Sequence, residues 1–391
     1  MIPLMKNAFL HEYETKKALA EFILKAPRLS MDKQCFDFEH EFSNFQGLKE
    51  AVLFNSGGSA NLALLQSIKN LGYLSEGANV GFSALTWSTN TMPIIQMGFH
   101  PIPIDCEPST LNIMSHTLEE RLAECEMDAL FITNAMGFTG DLNNIRRICL
   151  ENNILLIEDN CESLGSELPF GKAGNFGMAS TFSFFVAHHM STIEGGMVCT
   201  DISELAQMLR IVRANGWDRN LEANQQYNIR QKFNIITEFE AKYTFYDLGY
   251  NLRPTEITGF LGLCQLKFLE ENINIREQNY KFLEKDVQNN SELVKLEHSH
   301  LSRLSSFAFP ILSKSPELRN KYFSQFSGAG VEIRPMIAGN IQKQPFYKKY
   351  IKTLFKLPGT DIIHDCGFYC GNYPELTRSD LEILSSCLKK Y

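Results

Sequence analysis

The segment TFSFFVAHHMSTIEGGM, residues 181–197, is the most informative part of this sequence. Its apolar start, residues 181–185, predicts a short strand, and residues 197–200 predict a second strand after a polar turn. The turn carries two adjacent imidazoles, His188 and His189, and ends in Glu194-Gly195-Gly196. Because imidazole titrates near neutral pH and can both accept and return a proton, the turn is a candidate site for acid–base chemistry.

Outward from this segment, short apolar runs alternate with helical patterns between about residues 50 and 200. Strands are predicted at residues 51–54, 79–82, 101–104, 129–133 and 154–157. Helices are predicted at residues 59–71, 117–124 and 143–152. Strands that alternate with helices form βαβ units, so the predicted fold class is α/β with a large, mostly parallel sheet covered on both faces.

The last third of the chain has a different pattern. Residues 254–287 are almost free of helix breakers and predict one long helix that links two domains. Strands at 307–312 and 331–334 and helices at 316–326 and 378–389 then predict a smaller α+β domain. The predicted division is a large α/β domain with an N-terminal helical segment, residues 1–253, followed by the linking helix and small domain, residues 254–391.

Residues 218–247 are polar and aromatic without clear periodicity. Two interpretations stay open at this stage: an ordinary surface loop, or a lid or inter-subunit segment. The second has support because long ordered loops in compact proteins are usually functional.

The bulk composition excludes several classes of function. The chain has 391 residues and a formal net charge of −8, and no basic block indicates nucleic-acid binding. No apolar run approaches the roughly 18 residues that a membrane span needs, and the N-terminus does not resemble a signal peptide, so we expect a cytoplasmic protein. Ten cysteines are scattered, and only Cys366 and Cys370 lie close together, so we expect buried reduced thiols and no metal site.

A candidate phosphate site follows the first predicted strand. Residues 55–61, NSGGSAN, link that strand to a helix start, and Gly57 and Gly58 allow close approach of a ligand to the backbone. Ser59 lies in the same turn. Free N–H groups and the positive end of the helix dipole favour an anion here. A serine-capped strand-to-helix turn without a ligand would have a similar sequence.

Two more strand ends carry candidate ligand-binding side chains. Asp159 ends an apolar strand and Glu162 follows it; an aspartate there could face a pyridine nitrogen, or simply cap the next helix. Trp87 follows the strand at residues 79–82 and could stack on a planar ring, or be an ordinary core or interface residue.

The chain order of these features resembles that of the pyridoxal-phosphate-dependent sugar aminotransferases of the DegT/DnrJ/EryC1/StrS type. The active-site lysine segment of that family is approximately SFxxxKxxxxxEGG. Counting forward from Ser183-Phe184, or back from Glu194-Gly195-Gly196, puts the lysine position at His188. The resemblance covers about residues 40 to 375 and implies the aspartate-aminotransferase fold (fold type I), with Ser183 among the cofactor-binding residues. It also implies a homodimer in which Asn251 reaches the cofactor phosphate of the partner subunit.

Histidine at the lysine position is similar to the family's 3-dehydratases of nucleotide-linked 4-keto-6-deoxyhexoses. One such group, acting on a CDP sugar, holds an iron–sulfur cluster through cysteines in the interval that corresponds to residues 217–248. That interval contains no cysteine here, so no cluster is expected. The segments ANGWDRNL (214–221), GYNLRPTE (249–256) and RPMIAGN (334–340) resemble the cluster-free group instead, except that Asn215 replaces the family histidine.

This resemblance implies a function: loss of the C3 hydroxyl from GDP-4-keto-6-deoxy-D-mannose, in colitose-type dideoxysugar and O-antigen lipopolysaccharide biosynthesis. Pyridoxal or pyridoxamine phosphate would be bound noncovalently, because histidine cannot form a Schiff base, and glutamate would supply the amine. His188 would be the acid–base catalyst and His189 structural. The nucleotide-sugar contacts would come from Arg219, Arg253 and Arg334, since arginine offers a fork of donors to phosphate.

Other functions stay open. The chain could be a sugar aminotransferase, a CDP-sugar 3-dehydratase without a cluster, or a non-catalytic relative that retains the fold.

Overall fold

The computed structural model describes residues 1–390, and its first two hundred residues build one large sheet. The strands of this region are β1 (Glu50–Phe54), β2 (Asn79–Ser83), β3 (His100–Ile104), β4 (Ala129–Thr133), β5 (Leu155–Asp159), β6 (Glu167–Leu168), β7 (Gly171–Lys172), β8 (Ala179–Ser183) and β9 (Gly196–Thr200). The seven-stranded sheet has the order β1-β9-β8-β5-β4-β2-β3, and β6 pairs with β7 in a separate ribbon.

The large sheet is mostly parallel, as the sequence predicts. Only β9 runs against its neighbours, pairing antiparallel with β1 and β8. The other pairs are parallel. Because parallel strands end at the same edge, the loops after β1, β2, β4, β5 and β8 meet there. β8 ends at Ser183, two residues earlier than predicted. The Phe184 carbonyl oxygen accepts from the Thr192 N–H within the turn, at 2.9 Å, and the Phe185 N–H donates to the Ser183 Oγ, at 3.3 Å, so these groups do not pair with β9.

Eleven helices precede the last sheet of the chain. They are α1 (Glu12–Lys25), α2 (Lys33–Gln46), α3 (Gly57–Asn70), α4 (Ser88–Gln96), α5 (Ser115–Leu122), α6 (Leu142–Glu151), α7 (Ser203–Arg213), α8 (Ala223–Lys232), α9 (Glu238–Ala241), α10 (Glu256–Leu266) and α11 (Leu269–Gln288). Apolar side chains of α3, α4 and α7 form one core with the sheet, and those of α5, α6 and α11 form another. Helices therefore cover both faces of the sheet.

The prediction of a single helix at residues 254–287 is wrong. The structure has two helices, α10 and α11, and Phe268 between them leaves helical geometry with φ −104° and ψ 0°. Their packing explains the break. A Cβ on Gly259 would lie 2.4 Å from the Cys35 nitrogen of α2, so α10 is held tightly against α2. The direction of α11 is set by its own contacts with the C-terminal part of the chain, where it packs on the last helix.

Residues 218–247 contain two helices, α8 and α9, that the sequence does not reveal. α8 has no buried residue, so it has no apolar stripe to produce a periodic pattern. Capping pairs start both helices, with Thr237 and Glu240 forming the pair at α9.

The C-terminal part forms a smaller α+β unit, as predicted. Its remaining elements are β10 (Ala308–Leu312), α12 (Pro316–Gly328), β11 (Ile333–Pro335), a 3₁₀ turn (Ile341–Lys343), α13 (Pro345–Tyr350), α14 (Pro358–Cys366), β12 (Gly367–Gly371) and α15 (Arg378–Cys387). The strand order is β10-β12-β11, all antiparallel. The sequence analysis missed the central strand β12, whose short segment GFYCG begins and ends in glycine, a residue depleted in strands. The domain division between residues 253 and 254 stays a prediction.

The described residues, 1–390, contain neither a candidate membrane-spanning helix nor a candidate metal cluster. No helix in that range is long and apolar enough to cross a membrane. Nor does the range contain a group of three or more His, Cys, Asp or Glu side chains that could hold a metal ion; Cys366 and Cys370 are both buried free thiols.

Candidate active site

A cavity of about 460 Å³ opens at the carboxyl edge of the large sheet, between the sheet and the C-terminal unit. Residues that follow β1, β2, β4, β5 and β8 form its floor, and residues near β10, β11 and β12 form its opposite wall. The lining residues are Ser56, Gly57, Gly58, Trp87, Thr89, Asn90, Thr133, Asp159, Cys161, Glu162, Ser183, Phe185, Ala187, His188, Glu194, Phe307, Ile337 and Tyr369. The volume is typical of a site for a small-molecule ligand.

The start of α3 forms a close-fitting cradle on the floor. The Ser56 side chain caps the helix by accepting a hydrogen bond from the Ser59 N–H at 3.1 Å. A Cβ on Gly57 would lie 2.7 Å from the Ser183 Cβ, and a Cβ on Gly58 would lie 2.9 Å from Thr89. Glycine is therefore required at both positions for the turn to pack here. The N–H groups of the first helical turn point toward the cavity end, where an anion would be stabilised.

Asp159 is held rigidly at the end of β5. It is 3% exposed, and its Oδ2 accepts hydrogen bonds from the side-chain amides of Asn61 and Asn90, at 2.9 and 2.7 Å. Its Oδ1 accepts from the Cys161 N–H at 2.8 Å. A carboxylate offers about four acceptor positions, so one remains for a donor in the cavity. Asn61 and Asn90 thus orient the carboxylate from behind.

Glu162 lies three residues beyond Asp159, in the turn that follows β5. Its Oε2 accepts a hydrogen bond from the Met136 N–H at 2.9 Å. Burial raises the pKa of Glu162 from 4.5 to about 7, and the nearby Asp159 carboxylate acts in the same direction. The group can therefore carry or release a proton at physiological pH.

His188 lies in the turn between β8 and β9 and faces the cavity. Its Nδ1 is 2.6 Å from the Cys161 carbonyl oxygen. Since a carbonyl oxygen only accepts, Nδ1 carries the hydrogen and Nε2 keeps a lone pair. Burial lowers the pKa of His188 to about 4, although the hydrogen bond to Cys161 opposes this shift. The expectation that this imidazole titrates near neutral pH is therefore wrong, and at pH 7 it is a neutral base.

His189 points away from the cavity, in agreement with its predicted structural role. It is fully buried, and its Nε2 lies 3.0 Å from the Ser305 carbonyl oxygen. Burial lowers the pKa of His189 well below the usual value. The two adjacent histidines thus have different environments, and only His188 lines the cavity.

The wall opposite the sheet is aromatic. The rings of His188 and Phe307 are 5.1 Å apart between centroids and tilted by 40°. Tyr369 on β12 and Ile337 after β11 complete this wall, and Trp87, 58% exposed, lies at the cavity margin. An apolar wall of this kind excludes water from the neighbourhood of His188.

The structure gathers most, but not all, of the predicted site residues. Gly57, Gly58, Trp87, Asp159, Glu162, Ser183 and His188 line one cavity, and Ser59 lies in the same turn as the glycines. The Ser183 Oγ accepts a hydrogen bond from the Phe185 N–H at 3.3 Å, which shapes the start of the His188 turn.

Besides Ser59, four predicted residues do not line this cavity: Asn251, Arg219, Arg253 and Arg334. Asn251 is exposed, and its Oδ1 accepts a hydrogen bond from Arg253 Nε at 3.1 Å. Arg219 packs over the Trp217 ring at 4.3 Å and lines a separate cavity of about 200 Å³. Arg334 pairs with Glu332 at 2.5 Å, and in the sheet register it lies opposite Tyr369, next to the cavity margin.

Sequence reasoning missed several residues of the site. Asn61 belongs to the turn at residues 55–61 and Asn90 follows Trp87 by three residues, but their contact with Asp159 depends on how α3 and α4 converge. Phe307 and Tyr369 come from distant segments, and no local pattern marks them. Asn215, which departs from the family histidine, is exposed and has φ +60°, a conformation that asparagine tolerates better than most residues.

The residues present fit pyridoxal or pyridoxamine phosphate. The glycine cradle and helix start suit a phosphate, and the oriented Asp159 carboxylate has an acceptor position left for a pyridinium N–H. Among the cavity-lining residues within the described part of the chain there is no lysine.

Fold and site together define an enzyme of the aminotransferase-type α/β class. The chain matches the DegT/DnrJ/EryC1/StrS aminotransferase family over residues 11–389, and it belongs to that family. Over 372 residues it is 30% identical to the GDP-4-keto-6-deoxy-D-mannose 3-dehydratase of Escherichia coli O55:H7, covering 94% of this chain and 95% of that one.

Two solved structures are similar to this chain over its whole length. A GDP-4-keto-6-deoxymannose-3-dehydratase with a trapped PLP–glutamate geminal diamine superposes with a TM-score of 0.89, at 28% identity and full coverage of both chains. A mutant of such an enzyme with bound GDP-perosamine also gives a TM-score of 0.89, at 27% identity and full coverage of both chains.

Proposed function

We propose that this protein is a 3-dehydratase that removes the C3 hydroxyl of a nucleotide-linked 4-keto-6-deoxyhexose, with GDP-4-keto-6-deoxy-D-mannose as the substrate. The observation that carries this proposal is His188: a neutral imidazole with a free Nε2 faces the cavity at the position where family members have a lysine. The names of the relatives at about 30% identity support the same substrate.

The proposed cofactor is pyridoxamine 5′-phosphate, interconverting with pyridoxal 5′-phosphate and bound without a covalent link. Bound pyridoxamine phosphate supplies an amine that condenses with a ketone and a pyridinium ring that withdraws electrons from the carbon beside it. Gly57, Gly58 and Ser59 would hold the phosphate, Asp159 would keep the ring nitrogen protonated, and Trp87, Glu162 and Ser183 would complete the contacts. Noncovalent binding follows from the absence of a lysine among the described residues that line the cavity.

His188 would perform the proton transfers. Because Nδ1 donates to the Cys161 carbonyl oxygen, Nε2 is the atom that accepts a proton from the reacting centre. The resulting imidazolium lies in a buried site that disfavours charge, so it returns the proton readily to the C3 hydroxyl, which leaves as water. Hydrolysis would then release the 4-keto-3,6-dideoxy sugar and ammonia.

Glutamate is the proposed amino donor that restores the cofactor amine, supported by the glutamate adduct of the solved relative. We infer no iron–sulfur cluster, because residues 217–248 contain no cysteine. Arg219, Arg253 and Arg334 would contact the nucleotide diphosphate or the sugar. Arg334 has the best position for this, since it lies across the sheet from Tyr369 at the cavity margin.

The protein is proposed to act as a homodimer. Asn251 is exposed and does not line the cavity of its own chain, which is consistent with a contact to the cofactor phosphate of the partner subunit.

Product analysis tests the function. The protein is incubated with GDP-4-keto-6-deoxy-D-mannose, pyridoxal phosphate and glutamate, and the nucleotide product is identified by mass spectrometry while ammonia is assayed. We expect a product lighter by one oxygen atom, with ammonia and 2-oxoglutarate formed in equal amounts. A nucleotide-linked amino sugar would instead identify an aminotransferase.

A substrate panel tests the nucleotide. Turnover of the CDP-linked sugar in preference to the GDP-linked one would refute the proposed substrate. No turnover of any nucleotide 4-keto-6-deoxyhexose would indicate a non-catalytic relative.

A further inference from the structure

A fully buried arginine lies behind the turn that carries His188. Arg276 belongs to α11 and is 3% exposed. Within the described residues, 1–390, no carboxylate forms an ion pair with it. A buried guanidinium without an ion-paired carboxylate is costly, so its hydrogen bonds must compensate for the hydration that it loses.

The hydrogen bonds of Arg276 join three separate segments of the chain. Nη2 donates to the His188 carbonyl oxygen at 3.4 Å, and Nη1 donates to the carbonyl oxygens of Phe307, at 2.7 Å, and of Asn372. Nε donates to Asn272 Oδ1 at 2.6 Å, which fixes the plane of the guanidinium. A planar group with five donors can bind several acceptors in one fixed geometry, which a lysine ammonium cannot.

We propose that Arg276 is a positioning residue for the catalytic step: its guanidinium fixes the backbones of His188 and Phe307 together and so sets the imidazole at its place in the cavity. The proposal rests on the proposed role of His188 as the catalytic base. The two residues that Arg276 joins are those whose rings are 5.1 Å apart, so one side chain controls both the base and the ring packed beside it.

The charge of Arg276 has a second effect on the same imidazole. Positive charge disfavours imidazolium, and Arg276 acts to lower the pKa of both His188 and His189. The other groups around His188 are Asp159, which acts to raise its pKa, the carbonyl of Cys161, and the cavity-lining Glu162, Glu194 and Tyr369. Arg276 is therefore the cation on the side of His188 away from the cavity.

The Glu375 carboxylate interacts with this charge but forms no ion pair with Arg276. Glu375 and Arg276 both line a water-sized cavity of about 20 Å³ behind His188, and burial raises the pKa of Glu375. The Glu375 carboxylate accepts a hydrogen bond from Asn7 at 3.4 Å rather than from Arg276.

Two substitutions separate geometry from charge. Arg276→Lys retains the cation but cannot bind all the acceptors, whereas Arg276→Met removes both the cation and the hydrogen bonds. Arg303→Met is the matched control, because Arg303 also joins α11 to the segment before β10, through Asn274 and Glu270, but does so at the surface. Each variant is checked for folding by thermal melting.

The direct measurement is the pKa of His188, obtained by NMR titration of protein with isotopically labelled histidine. The signal of His188 is assigned by its absence from the His188→Asn variant. In Arg276→Met the pKa of His188 should rise; in Arg276→Lys and Arg303→Met it should stay at the parent value. Turnover should fall by about 10²-fold in kcat for Arg276→Lys, with KM little changed, because a displacement of about 1 Å has this effect on a positioned catalytic group.

An unchanged His188 titration in Arg276→Met, or parent-like kcat in Arg276→Lys, would overturn the proposal. If Arg276→Met does not fold, the kcat of Arg276→Lys decides alone. The NMR titration does not need substrate. If it gives the predicted pKa changes in a protein that turns over no nucleotide sugar, the link between Arg276 and His188 is supported and the proposed function is refuted.

Discussion

At position 188, one imidazole has two nitrogens with separate tasks. The Cys161 carbonyl oxygen binds Nδ1, and this contact leaves Nε2 as the only basic atom of the ring. Because burial lowers the pKa of His188 to about 4, the ring is ready to accept a proton at all pH values above that. The neighbouring His189 has no access to the cavity and contributes packing and one hydrogen bond.

A pair of substitutions tests this assignment. His188→Asn should reduce kcat by about 10²–10⁴-fold, the usual contribution of a positioned proton-transfer group, and leave cofactor binding intact. His189→Asn should lower thermal stability with little change in kcat, since its ring is buried in the core. Steady-state kinetics and a spectroscopic cofactor titration check both. If His188→Asn kept nearly the parent kcat and His189→Asn were inactive, His189 and not His188 would be the catalytic base.

The raised pKa of Glu162 predicts that the free energy of unfolding depends on pH. Folding raises the pKa of this carboxyl from 4.5 to about 7, so the folded protein holds the proton more tightly than the unfolded chain does. The contribution of Glu162 to the free energy of unfolding is complete below the pKa of this carboxyl in the unfolded chain, and it is lost as pH rises through about 7. Between about pH 5 and pH 8, the parent protein should therefore lose more stability than Glu162→Gln in urea unfolding. Equal losses in the two proteins would contradict the raised pKa.

At the level of elements, the start of α3 is packed so closely that it has no space for a side chain at Gly57 or Gly58. Gly57→Ala would put a methyl group 2.7 Å from the Ser183 Cβ, so the helix start must move away from β8. We expect the affinity for pyridoxamine phosphate to fall, because the helix N–H groups would no longer converge on the phosphate. Fluorescence titration with the cofactor measures the change.

Gly328→Ala is the control for this substitution. It lies in α12, where a Cβ meets nothing within 4 Å, so alanine should leave cofactor affinity unchanged and stabilise the protein by about 0.5–1 kcal/mol. Parent-like cofactor affinity in Gly57→Ala would show that the cradle does not bind the phosphate.

The elements that the sequence predicts well are those whose patterning is local. The strands β1, β2, β4 and β5 are apolar runs with turn residues after them, and the candidate residues Asp159 and His188 were found because they follow such runs. The helix α8 was missed because it buries nothing, and the break at Phe268 because it results from packing. The wall formed by Phe307 and Tyr369 could not be predicted, since these residues come from segments far from the sheet in sequence.

At the scale of the whole molecule, the active site is expected to be complete only in a dimer. Residues 218–247, which the sequence leaves open between a surface loop and a lid or inter-subunit segment, carry many exposed apolar side chains. They are Tyr227, Phe233, Ile236, Phe239, Tyr243 and Phe245, and the exposed Leu248 follows directly. So many exposed apolar side chains within one segment are typical of an interaction site.

Phe239→Glu tests the dimer. Phe239 is 82% exposed, and a carboxylate in an apolar interface should weaken association and reduce activity at low protein concentration. Leu150→Glu, at a 68% exposed position on α6, is the control and should remain dimeric. Light scattering gives the oligomeric state of both variants, and an activity assay at the same protein concentrations gives their turnover. A fully active monomer at assay concentration would contradict the composite site.

We expect His188 to replace the lysine that anchors the cofactor in the family, so that the cofactor is held only by the cradle, Asp159 and their neighbours. Treating the protein with pyridoxal phosphate and borohydride, followed by intact mass measurement, tests this most directly, with His188→Lys as the positive control. We expect an unmodified parent protein and a phosphopyridoxyl adduct on the lysine variant. A stable adduct on any lysine of the parent protein would contradict it.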